Sequence, residues 1–141
     1  MPVNIHVADP IWAYGPMDET NDGLMNGFKW RLDNKPGIVN FEGMMEILER
    51  TVKRHPKTLF IACHMANLDW DLNRLGRLLD SYPNLYADTS ARFGELASTP
   101  RASAAFLTKY AGRVVYGTDQ GRLQRMYRRS FRILETLDEH F

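Results

Sequence analysis

The stretch TLFIACHMANLDWDLNRLGRLLDSYPNLYADTSAR, residues 58–92, decides the fold. It begins with a run, residues 58–63, that is apolar on both faces, which is typical of a strand buried between helices. Leucines then recur at helical spacing across residues 70–82, and a second apolar run follows at residues 85–88. A strand, a helix and another strand in this order predict a βαβ unit with parallel strands.

The same alternation continues on both sides of this stretch. We predict strands at residues 3–7, 58–63, 85–88 and 113–117, and helices at residues 41–54, 70–82, 101–110 and 127–138. The turns of two to five residues that join antiparallel strands in hairpins are missing between the predicted strands. The expected fold is therefore an α/β domain of about four parallel βα units.

The longest connection, residues 8–40, is expected to form a wall of a functional site. In parallel α/β proteins, such sites lie beyond the carboxyl ends of the strands. A loop of this length is either a site wall or disordered, and Trp12, Tyr14, Phe28 and Trp30 offer apolar anchors that favour an ordered wall. Trp12 is a candidate substrate-binding residue, although packing within the loop explains it at least as well.

Composition limits the class of protein. The chain has 141 residues, 44% of them hydrophobic and 25% charged, which is typical of one globular domain. A net charge of +1 gives no reason to expect nucleic-acid binding. No apolar stretch approaches the ~20 residues that cross a bilayer. The single cysteine, Cys63, excludes an internal disulfide and favours a reducing compartment, so we expect a cytoplasmic protein.

Three candidate metal ligands, His6, His64 and Asp119, stand at the carboxyl ends of three predicted strands. Imidazole nitrogen and carboxylate oxygen suit zinc, and also manganese or iron. Such a metal lowers the pKa of its bound water to about 7 while an imidazole or carboxylate moves the proton. One strand-end histidine is more often structural, but three such residues on separate strands predict a metal site. His64 and Asp119 are also the candidate catalytic residues.

Strand alternation gives the expected orientation of these side chains. On the second predicted strand, His64 should share the inner face of the sheet with Phe60 and Ala62, while Cys63 should point toward the helices. On the fourth, Asp119 should also face inward. Cys63 is therefore expected to be a buried structural thiol rather than a nucleophile.

Arg92 follows the third predicted strand. A guanidinium in this position can hold a substrate carboxylate through two parallel hydrogen bonds. A salt bridge that stabilises the loop is an equally good interpretation. The expected partner is therefore a small-molecule substrate, with a carboxylate if Arg92 binds it.

Three segments resemble a known family: PVNIHVADP at residues 2–10, the segment from Pro56 to Arg92, and KYAGRVVYGTDQG at residues 109–121 with FRILETLDEHF at residues 131–141. They look like the second half of an amidohydrolase-2 type protein of the metal-dependent amidohydrolase superfamily. Within it they are similar to the group that includes aminocarboxymuconate-semialdehyde decarboxylase. The resemblance covers nearly the whole chain.

The resemblance implies a (β/α)-barrel whose first strand supplies a pair of ligands in an HxH motif. It implies that His6 is the fifth-strand metal ligand, that His64 is the sixth-strand histidine that binds metal or activates water, and that Asp119 is the eighth-strand ligand and proton shuttle. This chain contains no HxH motif. A full barrel needs about 200 to 250 residues, so residues 1–141 are expected to be a partial domain, the C-terminal half of the barrel.

The resemblance further implies a metal-dependent hydrolase of amide, ester, lactone or carbon–carbon bonds. A decarboxylase of the same family and a non-catalytic half-barrel are the alternatives. Because the HxH ligands are missing, the isolated chain is expected to have little or no activity. A half-barrel has exposed sheet edges, so the chain is expected either to be a fragment or to pair with another copy or with the missing half-barrel.

Overall fold

A four-stranded parallel sheet forms the centre of the molecule. Its strands are β1 (Val3–Ile5), β2 (Phe60–Ala62), β3 (Leu85–Asp88) and β4 (Val114–Val115), arranged in that order. Each neighbouring pair is parallel. The structure, a computed structural model, describes residues 1–119, 121 and 124–140.

Helices alternate with the strands along the chain. They are α1 (Asp22–Gly27), α2 (Phe41–Arg54), α3 (Leu72–Ser81), α4 (Phe93–Ser98), α5 (Pro100–Lys109) and α6 (Gln124–Glu135). The α/β fold predicted from the sequence is confirmed, and it is consistent with part of a (β/α)8 barrel. The short helices α1 and α4 were not predicted, and β1, β2 and β4 are shorter than predicted, whereas β3 has the predicted bounds. No helix within the described ranges is long and apolar enough to cross a membrane.

One row of side chains across the sheet fixes which face packs against the helices. Ile5 is in register with Ala62, Ala62 with Ala87, and Ala87 with Val114. Ala62 and Ala87 are fully buried, and Ile5 and Val114 pack against the same core. The helices complete this core with apolar side chains that include Met45, Leu48, Val52, Leu75 and Leu79.

The predicted orientation of the second strand is wrong. Phe60 and Ala62 belong to the core between sheet and helices, rather than to the inner face. A strand that is apolar on both faces contains no polar–apolar contrast from which its orientation can be read. The burial of Phe60 and Ala62 among core residues from the helices, such as Met45 and Leu75, shows which face they occupy.

The long connection between β1 and α2 is ordered by a partly buried polar bridge. The Asn21 side chain caps α1 by accepting a hydrogen bond from the Leu24 N–H at 3.1 Å, and it donates to the Trp12 carbonyl at 2.9 Å. Ala13 and Leu24 are fully buried. The loop is therefore held by the Asn21 cap and by the buried side chains of Ala13 and Leu24, as well as by aromatic packing.

Two of the four predicted aromatic anchors do not anchor this loop. Phe28 and Trp30 are each 59% exposed. Trp12, in contrast, packs so closely on α1 that a Cβ at Gly23 would lie 2.3 Å from the Trp12 ring. Glycine at position 23 is thus required for the close approach of helix and indole.

The connections at the amino ends of the strands are short and braced by side chains. The Asn84 side-chain nitrogen lies 3.2, 3.1 and 3.0 Å from the carbonyl oxygens of Val52, His55 and Thr58, and its two N–H groups are shared among these three acceptors. These three carbonyls belong to the end of α2 and the turn before β2. One side chain therefore joins the turn before β3 to the turn before β2.

A second brace lies beside it at the start of β4. The Arg113 guanidinium donates to the Leu85 carbonyl at 3.1 Å through Nε and to the Tyr82 carbonyl at 2.7 Å through Nη2. Its guanidinium carbon also lies 4.9 Å from the centroid of the Tyr86 ring. The amino-terminal end of the sheet is thus tied together by hydrogen bonds to backbone carbonyls.

Candidate active site

A cavity of about 200 Å³ opens at the carboxyl ends of the strands. It is lined by all five residues that the sequence marked as site candidates, namely His6, Trp12, His64, Arg92 and Asp119. They come from the ends of β1, β2, β3 and β4 and from the long connection after β1. The topology therefore gathers residues that are up to 113 positions apart in the sequence at one place.

His64 reaches the cavity through an unusual backbone turn. His64, Met65, Ala66 and Asn67 have φ values of 59°, 56°, 54° and 52°, all in the left-handed region. Residues with a Cβ rarely adopt this conformation, which costs roughly 1–2 kcal/mol for each. The left-handed turn begins directly after Cys63 and turns His64 into the cavity. Continued strand alternation would instead have pointed His64 to the helix side, as it does Ala62.

The end of β3 holds this turn in place. The Asp88 carboxylate, which is buried, accepts a hydrogen bond from the His64 backbone N–H at 2.9 Å and another from the Ser90 N–H at 3.0 Å. His64 Nδ1 lies 2.9 Å from the Ser90 carbonyl oxygen. Two contacts from the segment Asp88–Ser90 therefore fix the backbone and the ring of His64, and the Ser90–Asp88 bond orders the segment itself.

The contact with Ser90 also determines the proton on the ring. A carbonyl oxygen can only accept a hydrogen bond, so Nδ1 carries the proton when His64 is neutral. Nε2 then has a free lone pair. His64 is thus held as the tautomer that can bind a cation or accept a proton through Nε2.

His6 lies next to His64. The two ring centroids are 5.0 Å apart, with the ring planes at 68°, an edge-to-face contact. The next residues in the chain, Val7 and Ala8, are buried in the core. The first strand therefore delivers its imidazole to the same cavity as the second.

Asp119 enters from the loop after β4. Its φ of 54° is also left-handed. The chain before it passes close to the end of β3, where Thr89 Oγ donates to the Gly117 carbonyl at 3.1 Å. A Cβ at Gly117 would lie 2.4 Å from Ser90 Oγ, so only glycine fits this crossing.

The donors have the right chemistry for a divalent cation, but one chain does not assemble them. Two imidazoles and a carboxylate suit zinc, manganese or iron. Among residues 1–119, 121 and 124–140, however, no three His, Cys, Asp or Glu side chains lie close enough together to hold a metal ion. His6 and His64 form a pair, and Asp119 lines the same cavity without completing a group of three.

Arg92 lines the cavity and makes the ion pairs that were one of the two interpretations left open by the sequence. Its Nη1 donates to Glu95 Oε1 at 3.0 Å, and its Nε lies 3.7 Å from Asp69 Oδ1. These ion pairs hold the guanidinium at the cavity wall. Nε is buried and has no hydrogen-bond partner within the described part of the chain. Buried donors of this kind are rarely left unpaired.

Asp69 is a site residue that sequence reasoning missed. Its side chain is 13% exposed. Burial raises the pKa of this carboxyl group, and the nearby Arg92 opposes the rise. The segment NLDWD contains two aspartates, and nothing in the sequence distinguishes the buried Asp69 from Asp71, which caps α3.

Asn67 was also missed. It is 1% exposed, lines the cavity and donates through Nδ2 to the Ala8 carbonyl, which ties the turn after β2 to the end of β1. Its Oδ1 is buried without a partner among the described residues. Asparagine tolerates the left-handed conformation better than most residues, which is the one signal that the sequence held.

The expected orientation of Cys63 is wrong, because its thiol lies beside the Asp88 carboxylate instead of facing the helices. Burial raises the pKa of this thiol, and the negative charge and hydrogen bond of Asp88 raise it further. A thiol with a raised pKa is a poor nucleophile. We therefore still interpret Cys63 as a structural thiol rather than a nucleophile. The reason is now electrostatic, and the sequence did not suggest it.

The tryptophans form the outer wall of the cavity. Trp12 and Trp30 both line it, from two single-turn 3-10 helices, Ile11–Tyr14 and Phe28–Trp30. Trp12 is partly buried against α1, whereas Trp30 is largely exposed. Trp12 thus both packs within its loop and contacts the cavity.

A larger groove, of about 690 Å³, lies between α3 and α5 on the outside of the molecule. It is lined by residues such as Gly76, Asp80, Phe106 and Lys109. None of the five sequence-marked site residues lies in it. The strand-end cavity therefore remains the candidate site, since it is the place where the chemically active groups converge.

Comparison with known proteins gives one match. The model of a protein family described as amidohydrolase matches residues 1–127. Searches of curated proteins and of solved structures returned no match.

Proposed function

Because the chain belongs to the amidohydrolase family, we propose that it carries the catalytic face of a metal-dependent hydrolase that acts on a small carboxylate. The bond cleaved would be an amide, ester, lactone or carbon–carbon bond. The cavity at the carboxyl ends of the strands is the observation that supports this proposal, because His6, His64, Asp119 and Arg92 all line it.

His64 is proposed as the proton acceptor. Its Nδ1–H donates to the Ser90 carbonyl, so Nε2 is free on the cavity side of the ring. A base held in one tautomer and one orientation accepts a proton without first having to reorganise. Asp119 is proposed as the group that carries the proton onward.

A divalent cation, zinc ahead of manganese or iron, would be held by His6 and Asp119 and would supply Lewis-acid activation. His64 has one free lone pair, on Nε2, so it would act either as a third ligand or as the proton acceptor, and the proposal assigns it the second role. All other parts of the proposal concern side chains of this chain. Trp12 would pack against the apolar part of the substrate at the outer wall of the cavity. Arg92 would hold the carboxylate, with Asp69 and Glu95 fixing its orientation from behind.

The substrate class is tested with benzoate and its neutral analogue benzamide as probes. Calorimetry should show that Arg92→Met weakens benzoate binding by at least about 10-fold, because a charge-assisted hydrogen bond is lost. Benzamide binding should not change. Arg92→Lys keeps the charge and controls for folding, and Arg50→Met on the exposed side of α2 is the matched control. Equal benzoate affinity in wild type and Arg92→Met would contradict the role of Arg92.

The reaction is tested by following acid release from a panel of lactones, esters and amides that carry a carboxylate, with zinc or manganese added. Because the HxH ligands are missing, hydrolysis by the wild type should be slow, and it should be lost in His64→Asn. It should persist in His55→Asn, since His55 lies at the opposite end of the sheet. Release of carbon dioxide without acid would instead identify a decarboxylase, the alternative suggested by the sequence resemblance. Acid release that His64→Asn leaves unchanged would exclude His64 as the base.

We further propose that the protein works in the cytoplasm. The support is its single cysteine, which fits a compartment where thiols stay reduced.

A further inference from the structure

We propose that two copies of this chain close into one barrel of eight parallel strands, in which each copy supplies His6 to the other copy's site. The cation-binding part of this inference rests on the proposed function. The barrel itself rests on the sheet edges, the exposed apolar side chains beside them and the incomplete donor set in one chain.

Both edges of the sheet are open. In the described part of the chain, β1 pairs only with β2, and β4 pairs only with β3. An unpaired strand edge presents backbone N–H and C=O groups that can pair with another strand. Because the strands are all parallel, a twofold rotation about an axis along the strands would place β4 of each copy beside β1 of the other. Eight strands are the number at which side chains fill the interior of a closed barrel.

Apolar side chains flank both edges. Four large exposed ones accompany β1 and α2, namely Val3, Ile38, Val39 and Ile47, and four accompany β4 and α6, namely Val115, Tyr116, Tyr127 and Phe131. Their exposed fractions lie between 37% and 49%. With ordinary side-chain areas, burial of both sets in a twofold dimer would remove roughly 1,300 Å² from water, above the ~1,000 Å² expected of a specific interface.

The orientation of α2 supports this edge as the interface. Glu42 pairs with Arg74 at 2.7 Å, and Glu49 accepts a hydrogen bond from Tyr82 at 3.0 Å. The polar side of α2 therefore faces α3. Ile47 lies on the other side of the helix, toward the open edge of β1.

The donor set also needs a second copy. Within one chain, His6 and His64 adjoin each other, but the described residues contain no group of three. In the closed barrel, the second copy's β1 would lie beside β4, and its His6 would stand at the strand end next to Asp119. The two copies together supply four imidazoles and two carboxylates, so each of the two sites would hold one carboxylate, Asp119 of one copy, and two imidazoles, His6 and His64 of the other copy.

The test uses light scattering and sedimentation of the purified chain over a range of concentrations. The wild type should form a dimer of two 16.3 kDa chains. Ile47→Glu and Phe131→Glu, on opposite sides of the proposed interface, should each raise the dimer dissociation constant at least about 10-fold. Met25→Glu, which changes a still more exposed apolar side chain in α1, should not. Circular dichroism shows whether each variant is folded.

A wild type that stays monomeric, or a dimer that both edge variants leave intact, would overturn the barrel. The barrel of two copies would also be overturned if β1 and β4 paired with a polypeptide of four further βα units more tightly than with a second copy of this chain.

Zinc tests the shared site separately. Zinc should tighten the dimer at least about 10-fold, and His6→Ala should remove this effect while the zinc-free dimer persists. A dimer that zinc does not tighten would overturn the shared cation site. Failure of the proposed function would look different, since the dimer and its zinc dependence would remain while acid release and benzoate binding were absent.

Discussion

The two ends of the sheet are built differently. At the carboxyl end, six residues other than glycine have left-handed φ angles, namely His64, Met65, Ala66, Asn67, Ala91 and Asp119. They follow β2, β3 and β4, and the described part of the chain has no others. At the amino end, the connections adopt ordinary conformations, and Asn84 and Arg113 bind their carbonyls.

The difference separates the tasks of the two ends. Left-handed conformations cost free energy and persist only where surrounding contacts enforce them. Here they place His64 and Asp119 at the cavity, and Asp88 and Ser90 supply the contacts that enforce the turn at His64. The braces at the amino end touch none of the candidate site residues. We therefore expect substitutions that remove the braces at the amino end to lower the free energy of unfolding. Substitutions that relieve a left-handed residue at the carboxyl end should raise it.

Removal of the Asn84 brace should have the largest effect. Asn84→Ala removes the two N–H donors that three backbone carbonyls share and should lower the free energy of unfolding by about 2–3 kcal/mol. Urea denaturation measures this loss. Asn34→Ala, in an exposed position, is the matched control. If Asn84→Ala lowered the free energy of unfolding no more than Asn34→Ala does, the stabilising role of Asn84 at the amino end would be contradicted.

Substitution by glycine should change the free energy of unfolding in opposite directions at two alanines, Ala91 and Ala105. Ala91 has a φ of 54° at the cavity, so Ala91→Gly relieves strain and should raise the free energy of unfolding by about 0.5–1 kcal/mol. Ala105 is an exposed position in α5, where the same substitution should lower it by about 1 kcal/mol. Chemical denaturation of both variants gives the comparison. Losses of equal size would show that the carboxyl end stores no strain at Ala91.

The smallest effect should be a pH dependence at Asp69. Burial raises the folded-state pKa of this carboxyl group above its ordinary value of 3.8. The folded protein therefore binds the proton more readily than the unfolded chain, and Asp69 should contribute increasing stability as pH falls through that window. Relative to Asp69→Asn, the wild type should gain stability on acidification from pH about 7 toward about 4. The raised pKa would be contradicted if acidification lowered the urea midpoint of the wild type relative to that of Asp69→Asn.

Periodicity alone predicted the order of the main elements. The helix expected over residues 41–54 has those bounds, and the strand expected at residues 85–88 does too. The left-handed turn after β2 could not be predicted, because its residues, His64 to Asn67, form no glycine-rich turn signal. Its conformation depends on Asp88 and Ser90, which lie more than twenty positions away.

By itself, the sequence determined that this protein is a parallel α/β domain and that His6, His64, Arg92 and Asp119 stand at strand ends. These results follow from hydrophobic period and strand direction, which are local properties. Only the tertiary structure decided which face of β2 is inner, that Cys63 meets Asp88, that Asn67 lines the cavity, and that Asp69 lies beside Arg92. Strand register and buried contacts join residues far apart in the chain, so no local pattern contains them.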